Sequence, residues 1–460
     1  MFFELKQNPN AVALNSVTST NGQDYSEVAI TYAELAQLVA RRREMLARLE
    51  AALPAQQRCV LLVKMHATLD SVIDYLAALQ QRCVAIIIDP EMTESSHQQL
   101  AKQFQAHAIL DAGKLCENGQ QQFSIDSDVA ILLPTSGSTG GAKYVALSYA
   151  NLQANAESIC AYLPIASGDC AMNTLPLFYS YGLSVLNTHL LSGASLLLTP
   201  YTIVDKAFWQ LMKTAGVTSF AGVPHFYEML IRLRFTRMTL PHLKYFTQAG
   251  GKLAADTLTA LCEFSRSSNK RFFIMYGQTE ATARMAYYEV EQDDVTPGII
   301  GRAIVNGQFR LKDGELQYAG PNVMMGYVHD AEDFANFEPI EWLATGDLAE
   351  VDAQRNYYIV GRKKRFIKPF GIRIDLDLLE NNIRARGVEC YCSGTDKRLI
   401  VATETLSHEQ KEDLQQYLQS ETRIHFSAVQ LIQLPSLPLT ANGKRDYSAI
   451  DQLAAQAVTR

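Results

Sequence analysis

Two patterns of apolar positions alternate along the first two-thirds of the chain. Short, nearly continuous apolar runs at Val60–Val63, Val84–Ile88 and Ser195–Leu198 are typical of strands that are buried on both faces. Residues 31–50 and 69–80 instead have apolar side chains every three or four positions, as amphipathic helices do. The alternation predicts an α/β fold in which helices flank largely parallel strands.

The same two patterns predict further elements. Beyond about residue 361, the predicted helices and strands form a smaller unit. The additional predictions are helices over about 151–163, 206–214 and 226–232, a strand over 219–223, then a helix over 375–386, strands over 388–392 and 399–403, and a helix opened by the capping box of Ser407 and Gln410. We therefore predict a large N-terminal domain of mixed sheets flanked by helices, residues 1–361, and a small C-terminal α+β domain, residues 362–460.

Residues 131–145 carry the strongest chemical signal, because a buried strand runs into a loop of glycines and hydroxyls that ends in one lysine. Such a loop can bring backbone N–H groups and hydroxyls against an anion, and Lys143 adds a cation. The common G-x-x-x-x-G-K-[ST] pattern does not fit, since Ala142 and Tyr144 replace its second glycine and its magnesium-binding hydroxyl. The loop predicts a nucleotide-phosphate site of another kind, although an ordinary Gly/Ser surface loop would have a similar composition.

Composition and charge favour a small-molecule partner. The 460-residue chain has a formal net charge of −7, which disfavours nucleic acid because binding to its phosphates requires clustered cations. Its apolar runs fall short of the roughly 20 residues that span a bilayer. We expect a cytoplasmic protein with no nucleic-acid partner and no membrane insertion.

Five segments, taken together, resemble the adenylate-forming (AMP-binding) superfamily of acyl-CoA synthetases, adenylation domains and luciferases. In chain order they resemble its phosphate loop (135–143), its nucleotide and magnesium segment (276–280), its ribose segment (345–347), its interdomain hinge (361–373) and its terminal catalytic-lysine loop (438–444). The resemblance covers nearly the whole chain. It implies a mobile C-terminal domain and an active site at the interface between the two domains.

The resemblance also implies how ATP and Mg²⁺ are bound. Tyr276 would stack on adenine, Thr279 would contact the α-phosphate, Glu280 would bind magnesium, and Lys143 would hold the pyrophosphate. The other nucleotide-binding candidates are Thr135, Ser136, Gly137, Ser138, Thr139, Gly140, Gly250, Gly251, Gly277, Gln278, Asp347 and Arg362.

In the C-terminal segments, the resemblance assigns three roles. Lys444 would be the catalytic lysine that bridges the substrate carboxylate and the nucleotide. Lys364 would be the hinge of a domain rotation that removes Lys444 after the first half-reaction. Gly371 and Arg373 would then line the approach of a thiol.

The candidates for the acyl pocket are Phe178, Tyr179, Tyr181 and His225. Tyr179 stands where amino-acid-activating relatives have aspartate and where acyl- and aryl-CoA synthetases usually have histidine. We therefore expect an apolar or aromatic pocket, although the same aromatic residues would also suit the hydrophobic core.

The expected function is ATP-dependent activation of a small carboxylic acid to acyl-AMP, with release of pyrophosphate. The acyl group would then pass to a phosphopantetheine thiol, supplied in trans by CoA or by a free-standing carrier protein. The alternatives are a stand-alone amino-acid adenylation enzyme and a catalytically silent nucleotide-binding protein of the same fold.

Overall fold

The chain forms two compact units. A computed structural model describes residues 1–19, 25–54, 57–119, 123–135, 143–291, 295–363, 365–367, 369, 374–395, 397–422 and 424–458. The first unit comprises Met1–Arg310, Gln317–Leu343 and Ala353–Tyr357, and the second comprises Leu311–Leu316, Ala344–Asp352 and Tyr358–Arg460. The domain boundary predicted after residue 361 stays a prediction.

Helices and strands alternate through most of the first unit. Helices α1 to α11 are, in chain order, Tyr32–Ala51, Leu69–Gln80, Glu94–Gln103, Tyr149–Cys160, Ser180–Ser192, Lys206–Thr214, Pro224–Arg232, Ala255–Ser267, Leu376–Arg384, His408–Thr422 and Tyr447–Val458. Strands β1 to β25 are Val12–Ser19, Tyr25–Thr31, Val60–Lys64, Val84–Ile88, Ala108–Asp111, Lys114–Glu117, Val129–Pro134, Tyr144–Ser148, Cys170–Met172, Ser195–Leu198, Ser219–Gly222, Tyr245–Gln248, Arg271–Tyr276, Ala286–Glu289, Ile299–Ala303, Gln308–Lys312, Glu315–Ala319, Gly326–Val328, Leu343–Val351, Tyr357–Arg362, Phe366–Ile367, Ile374–Asp375, Cys390–Thr395, Arg398–Glu404 and Val429–Leu434.

Two mixed sheets organise the first unit, as the α/β prediction requires. One has the strand order β18-β8-β7-β4-β3-β5-β6, with β5, β3, β4 and β7 parallel at its centre. The other contains the strand order β15-β14-β13-β12-β11-β9-β10-β1-β2. Its strands β13, β12, β11, β9, β10 and β1 are parallel to one another. Parallel strands end at the same edge of a sheet, so the loops after β11, β12 and β13 lie side by side.

The helix predictions are confirmed, with differences at both ends. Helices α4 and α9 end at Cys160 and Arg384, before the predicted residues 163 and 386. Helices α2 and α6 have the predicted bounds. Helix α4 begins before the predicted Asn151, because the Ser148 side chain accepts the Asn151 N–H as an N-cap. Helix α7 begins at Pro224, whose fixed φ suits the first helical position. No helix in the described part of the chain is both long and apolar enough to cross a membrane.

The second unit has its own core. Strands β23, β24 and β25 form a sheet, with β23 antiparallel and β25 parallel to β24. Buried side chains of α9 and α10, including Leu379, Ile383 and Leu418, pack with those of this sheet. Ser407 and Gln410 form the predicted capping box, because each side chain accepts the backbone N–H of the other. The prediction of a small α+β unit is confirmed for these residues.

Helix α5 packs closely against the backbone of the residues that precede it. A Cβ at Gly182 would overlap the carbonyl oxygen of Pro176. The side chains of Tyr181, Ser184 and Val185 on this helix line a cavity that is described below. Gly182 therefore permits the close approach of backbone on which the cavity wall depends.

We expect Gly182→Ala to lower the free energy of unfolding by about 1–3 kcal/mol, because the backbone must move to accommodate one added methyl group. The measurement is the urea midpoint of the full chain. Gly168→Ala is the matched control, since no atom lies within 4 Å of a Cβ at that position. Equal midpoints for the two variants would contradict this account of α5.

Candidate functional site

The two ends of the predicted phosphate loop are held together by strand pairing. Strands β7 and β8 are antiparallel, and Pro134 pairs with Tyr144. The Thr135 N–H donates to the Lys143 carbonyl oxygen at 2.9 Å, which closes the loop at its base. Residues 136–142 lie outside the described residues, and with them the candidates Ser136, Gly137, Ser138, Thr139 and Gly140.

One tyrosine joins the end of this loop to the predicted magnesium ligand. The Lys143 ammonium lies 5.3 Å from the centroid of the Tyr327 ring, within cation–π range. The Tyr327 hydroxyl donates to Glu280 Oε1 at 3.0 Å. Burial, and secondarily the Glu280 charge, raise the pKa of Tyr327, so its hydroxyl stays protonated and donates. Sequence reasoning missed Tyr327, which is distant in the chain from both partners.

The donor set at Glu280 fits a magnesium ion that is shared with a nucleotide. In the part of the chain that the structure describes, no group of three or more His, Cys, Asp and Glu side chains could hold a metal by itself. Mg²⁺ commonly binds through one or two carboxylates plus substrate phosphates and water. A single carboxylate beside a phosphate-type loop matches that requirement.

The segment from Tyr276 to Met285 reverses direction in a tight turn. The Gln278 carbonyl accepts the N–H groups of Ala281 and Ala283, and the Met285 N–H donates back to Tyr276. Gly277 packs so closely on this return that a Cβ would overlap the Ala283 carbonyl oxygen. Ala283 itself has φ +99°, a conformation that L-residues rarely adopt.

Two more candidates sit on the neighbouring loop. Gly250 and Gly251 follow β12, which is parallel to β13 with Gln248 opposite Ile274. Gly250 has φ +86°, and the Gln248 side-chain amide donates to the Gly251 carbonyl at 2.7 Å. The turn is therefore fixed at the same sheet edge as Tyr276. Because both residues are glycines, they have no side chains that would cover the backbone.

The predicted ribose-side residues meet in the second unit. Arg362 Nε lies 3.1 Å from Asp347 Oδ1, and the Asp347 side chain is only 5% exposed. Gly346 has φ +74°, and its N–H donates to Glu315. The carboxylate of Asp347 and the guanidinium of Arg362 thus lie at one place, and both are group types that bind ribose hydroxyls or phosphate.

The Lys444 loop is closed by backbone hydrogen bonds. The Thr440 N–H donates to the Lys444 carbonyl at 2.7 Å, and the Lys444 N–H donates to the Thr440 hydroxyl at 3.1 Å. Gly443 has φ +70° at the tip of this turn. Lys364, Gly371 and Arg373, the hinge and thiol-side candidates, lie outside the described residues.

A buried carboxylate, Glu380 on α9, organises the second unit and was missed by sequence reasoning. Its side chain is 1% exposed and is bonded by three arginines: Arg365 at 2.7 Å, Arg384 at 2.8 Å and Arg445 at 3.0 Å. The Cys392 N–H and the Tyr447 hydroxyl also donate to it. Arg445 directly follows Lys444, so Glu380 anchors the base of the lysine loop.

The four acyl-pocket candidates lie in different surroundings. Tyr181 is buried, and its hydroxyl is 2.8 Å from that of Thr247. Tyr179 is buried in the same hydrophobic cluster, whereas Phe178 packs against a different cluster. His225 is 44% exposed and its ring lies 3.7 Å from Glu228. The described contacts bring together Tyr179 and Tyr181 but not Phe178 and His225.

Tyr181 lines a narrow cavity of about 20 Å³ between α5 and the parallel strands. Arg284, another residue that sequence reasoning missed, lines the same cavity and is 3% exposed. Its guanidinium lies 3.8 Å from the Tyr181 ring centroid and donates to Met275 Sδ at 3.4 Å and to the Ala283 carbonyl at 3.3 Å. No carboxylate forms an ion pair with it within the described ranges.

These contacts oppose the cost of burying the Arg284 charge. Removing an ion from water costs several kcal/mol, whereas a desolvated cation–π contact contributes about 2 kcal/mol. A thioether is also a weak hydrogen-bond acceptor. Arg284 is therefore a buried cation that is held by an aromatic ring, a thioether and a carbonyl oxygen.

Comparison with known proteins relates this site to a family. A family model described as "AMP-binding enzyme" matches residues 117–328, which include Thr135, Lys143, Tyr276, Glu280 and Tyr327. Among curated proteins, an oxalate–CoA ligase of Arabidopsis thaliana is 26% identical over 369 residues, 73% of this chain and 70% of the relative. A D-alanine–D-alanyl carrier protein ligase of Staphylococcus epidermidis is 28% identical over 360 residues, 71% of this chain and 72% of the relative.

Other relatives are matched over a smaller share. A 2-succinylbenzoate–CoA ligase of Bacillus cereus is 29% identical over 262 residues, 54% of this chain and only 52% of the relative.

Among solved structures, ATP-bound MatB from Rhodopseudomonas palustris superposes with a TM-score of 0.78 at 20% identity, covering 99% of both chains. MenE from Bacillus subtilis with ATP and magnesium gives 0.75 at 20% identity, covering 96% of this chain and 97% of that one. These structures are similar to this chain in fold.

We expect Glu380→Gln to destabilise the second unit by about 3–5 kcal/mol, because it removes the charge that the buried arginines share. Hydrogen exchange of the α9 and β23 amides in the full chain would measure the loss. Glu389→Gln is the matched control, since Glu389 also pairs with Arg384, at 3.3 Å, but is 62% exposed. Its cost should stay below about 1 kcal/mol. Similar protection in the two variants would contradict the anchoring role of Glu380.

Proposed function

This chain belongs to the adenylate-forming (AMP-binding) superfamily, and from that membership we propose that it is an AMP-forming acid–thiol ligase. It would activate a small carboxylic acid with ATP to acyl-AMP and pyrophosphate, and then transfer the acyl group to a phosphopantetheine thiol. The observation that carries the proposal is the contact chain from Lys143 through Tyr327 to Glu280. It joins the phosphate-type loop to the carboxylate that is suited to magnesium.

The chemistry requires no general base. A carboxylic acid with a pKa near about 4 is ionised at pH 7, so its oxygen can attack the α-phosphorus of ATP directly. The P–O bond to pyrophosphate breaks as the acyl–phosphate bond forms, and the electron pair leaves with pyrophosphate. Catalysis then consists of positioning and charge neutralisation.

Each residue of the first unit has a role in that step. Bound Mg²⁺ would neutralise charge on the phosphate oxygens, with Glu280 as its protein ligand. Lys143 would hold the departing pyrophosphate. Tyr327 would keep Glu280 oriented toward the metal ion. The Thr279 hydroxyl, which lies 3.4 Å from that of Ser180, would donate to the α-phosphate.

The second unit would supply the remaining contacts. Asp347 would bind both ribose hydroxyls, with Arg362 beside it, and Lys444 would bridge the substrate carboxylate and the nucleotide. After adenylate formation, rotation about Lys364 would withdraw Lys444 and bring Gly371 and Arg373 to the thiol entrance.

The names of the relatives leave the acceptor open. Two of the relatives described above are CoA ligases and one is a carrier-protein ligase, so both acceptors present a thiol. We propose CoA or a free-standing carrier protein in trans. The carrier-protein relative acts on D-alanine, but Tyr179 stands where amino-acid-activating relatives place the aspartate that holds the α-ammonium group. A non-amino acid is the better candidate here.

Lys444→Ala should lower acid-dependent ATP–pyrophosphate exchange by about 10²–10³-fold, the usual effect of removing one preorganised contact to the transition state. ATP binding, measured as ligand-induced thermal stabilisation, should change little. The measurement uses a panel of fatty, aryl, hydroxy, dicarboxylic and amino acids. Lys411→Ala on α10, an exposed lysine away from the loop, is the control. Wild-type exchange by the Lys444 variant would refute its assignment.

Lys364→Pro should separate the two half-reactions. Proline restricts backbone rotation at the proposed hinge, so pyrophosphate exchange should persist while thioester formation falls by at least about 10-fold. Lys363→Pro is unsuitable as a control because the Lys363 N–H donates to Gly346, so Lys364→Ala serves instead. Equal loss of both half-reactions would argue against a hinge at this residue.

A further inference from the structure

Positive charge is concentrated in one stretch of an acidic chain. Residues 206–271 contain ten lysines and arginines but only three acidic residues, Glu228, Asp256 and Glu263, which is a surplus of seven positive charges. The whole chain has a formal net charge of −7, so the residues outside this stretch together carry −14. A charge asymmetry of this size indicates an electrostatic surface for an anionic partner.

Eight of the ten cations lie at one edge of the sheet that contains β11, β12 and β13. Helices α6, α7 and α8 each end at the amino ends of these parallel strands, opposite the edge at which Gly250 and Tyr276 lie. The eight residues, which we call the basic edge, are Lys213, Arg232, Arg234, Arg237, Lys244, Arg266, Lys270 and Arg271. Seven are exposed, and Lys270 is half-buried.

Contacts between the segments hold the basic edge together. The Lys244 N–H donates to the Thr218 carbonyl at 2.7 Å, and the Arg271 N–H donates to the Lys244 carbonyl at 2.9 Å. The entries into the three strands are therefore adjacent. Phe235 is buried, and its ring centroid lies 4.6 Å from that of Phe264 on α8. The arginines just before and two residues after Phe235 are thus anchored beside the end of that helix.

The helix dipole accounts for three of the eight cations. Lys213, Arg232 and Arg266 lie in the last turns of α6, α7 and α8, where the negative end of the dipole favours a cation. The other five lie outside these helices, so the dipole does not explain them. The acidic residue of the stretch that is nearest to the end of α8 is Glu263, which is exposed.

Acidic partners account for two more. Lys244 pairs with the buried Asp169, and Arg271 pairs with Glu289, while the charge of Glu291 also acts on Arg271. Among the described residues, none forms an ion pair with the five other cations that have no unlisted contact: Lys213, Arg232, Arg234, Arg237 and Lys270. The basic edge therefore keeps a surplus of positive charge that the chain itself does not neutralise.

The arginines of the basic edge alternate with apolar side chains. Met229, Ile231, Leu233 and Met238 are half-buried between them. Guanidinium groups bind phosphate through paired, charge-assisted hydrogen bonds, and apolar side chains among cations suit the headgroup region of a bilayer. A membrane with anionic lipids presents phosphate and apolar groups together, whereas nucleic acid presents its phosphates without an apolar layer.

We propose that the basic edge is a docking surface for an anionic membrane, at which the first unit rests on the lipid headgroups without inserting into the bilayer. The attraction is electrostatic and weakens as salt is added. Gly250 and Tyr276 lie at the opposite sheet edge, so the proposed nucleotide loops would face away from the lipid. The inference does not depend on the proposed ligase activity.

The test is cosedimentation of the full chain with lipid vesicles at low salt. Vesicles of equal parts phosphatidylglycerol and phosphatidylcholine should bind the protein at least about 10²-fold more strongly than phosphatidylcholine alone, because each cation near an anionic surface contributes roughly fivefold. The triple variant Arg232→Gln, Arg234→Gln, Arg237→Gln should lose about 10²-fold in this partition. Arg237→Gln alone should lose roughly fivefold, and it keeps the test decisive if the triple variant melts early.

The matched control removes the same charge elsewhere. Arg41→Gln, Arg48→Gln and Lys102→Gln change three exposed residues on α1 and α3. Their combined effect on the partition should stay below about threefold, because charges far from the contact are screened. Melting temperatures of both triple variants should match that of the wild type, since surface substitutions rarely disturb a core.

Three results would overturn the membrane surface. The first is equal partition onto neutral and anionic vesicles. The second is an equal loss of partition in the two triple variants, which would indicate attraction by overall charge alone. The third is retention on polyglutamate or duplex DNA that depends on the three arginines, without partition onto vesicles, which would assign the basic edge to an acidic protein or to nucleic acid.

Discussion

The close packing of Gly277 on Ala283 is the constraint on which the site in the first unit depends. Only a residue without a Cβ fits there, and the chain can then turn back within a few residues of the end of β13. This return has Thr279 and Glu280 near its start and Arg284 near its end. The positive φ at Ala283 shows that the turn is held by its surroundings and is not a relaxed loop.

The surrounding sheets determine what this turn meets. Because β11, β12 and β13 are parallel, their carboxyl ends deliver Gly250 and Tyr276 to one edge. The β7–β8 hairpin belongs to the other sheet, and β18 pairs with β8 so that Tyr327 lies opposite Val145. Tyr327 then contacts both Lys143 and Glu280. Tyr327 thus connects the two sheets at the proposed phosphate site.

The sequence predicted elements whose signal is local and missed contacts that depend on the tertiary fold. Helices α2 and α6 have an apolar periodicity that needs no knowledge of distant residues. The motif segments could likewise be found from their residues and order. Tyr327, Arg284 and Glu380 could not, because an isolated tyrosine, arginine or glutamate has no local pattern. Burial alone separates Arg284 from the many arginines that remain solvated.

Glu380 gives the proposed rotation a mechanical basis. Arg365 adjoins the proposed hinge at Lys364, and Arg445 adjoins Lys444; both guanidiniums bind the same buried carboxylate. Since breaking such a pair costs several kcal/mol, the hinge-side strand and the lysine loop must move together when the second unit moves. A turn about Lys364 would then displace Lys444 by moving the whole unit, with no separate rearrangement of its loop. The charge cluster would therefore couple a small backbone change at the proposed hinge to the proposed displacement of Lys444.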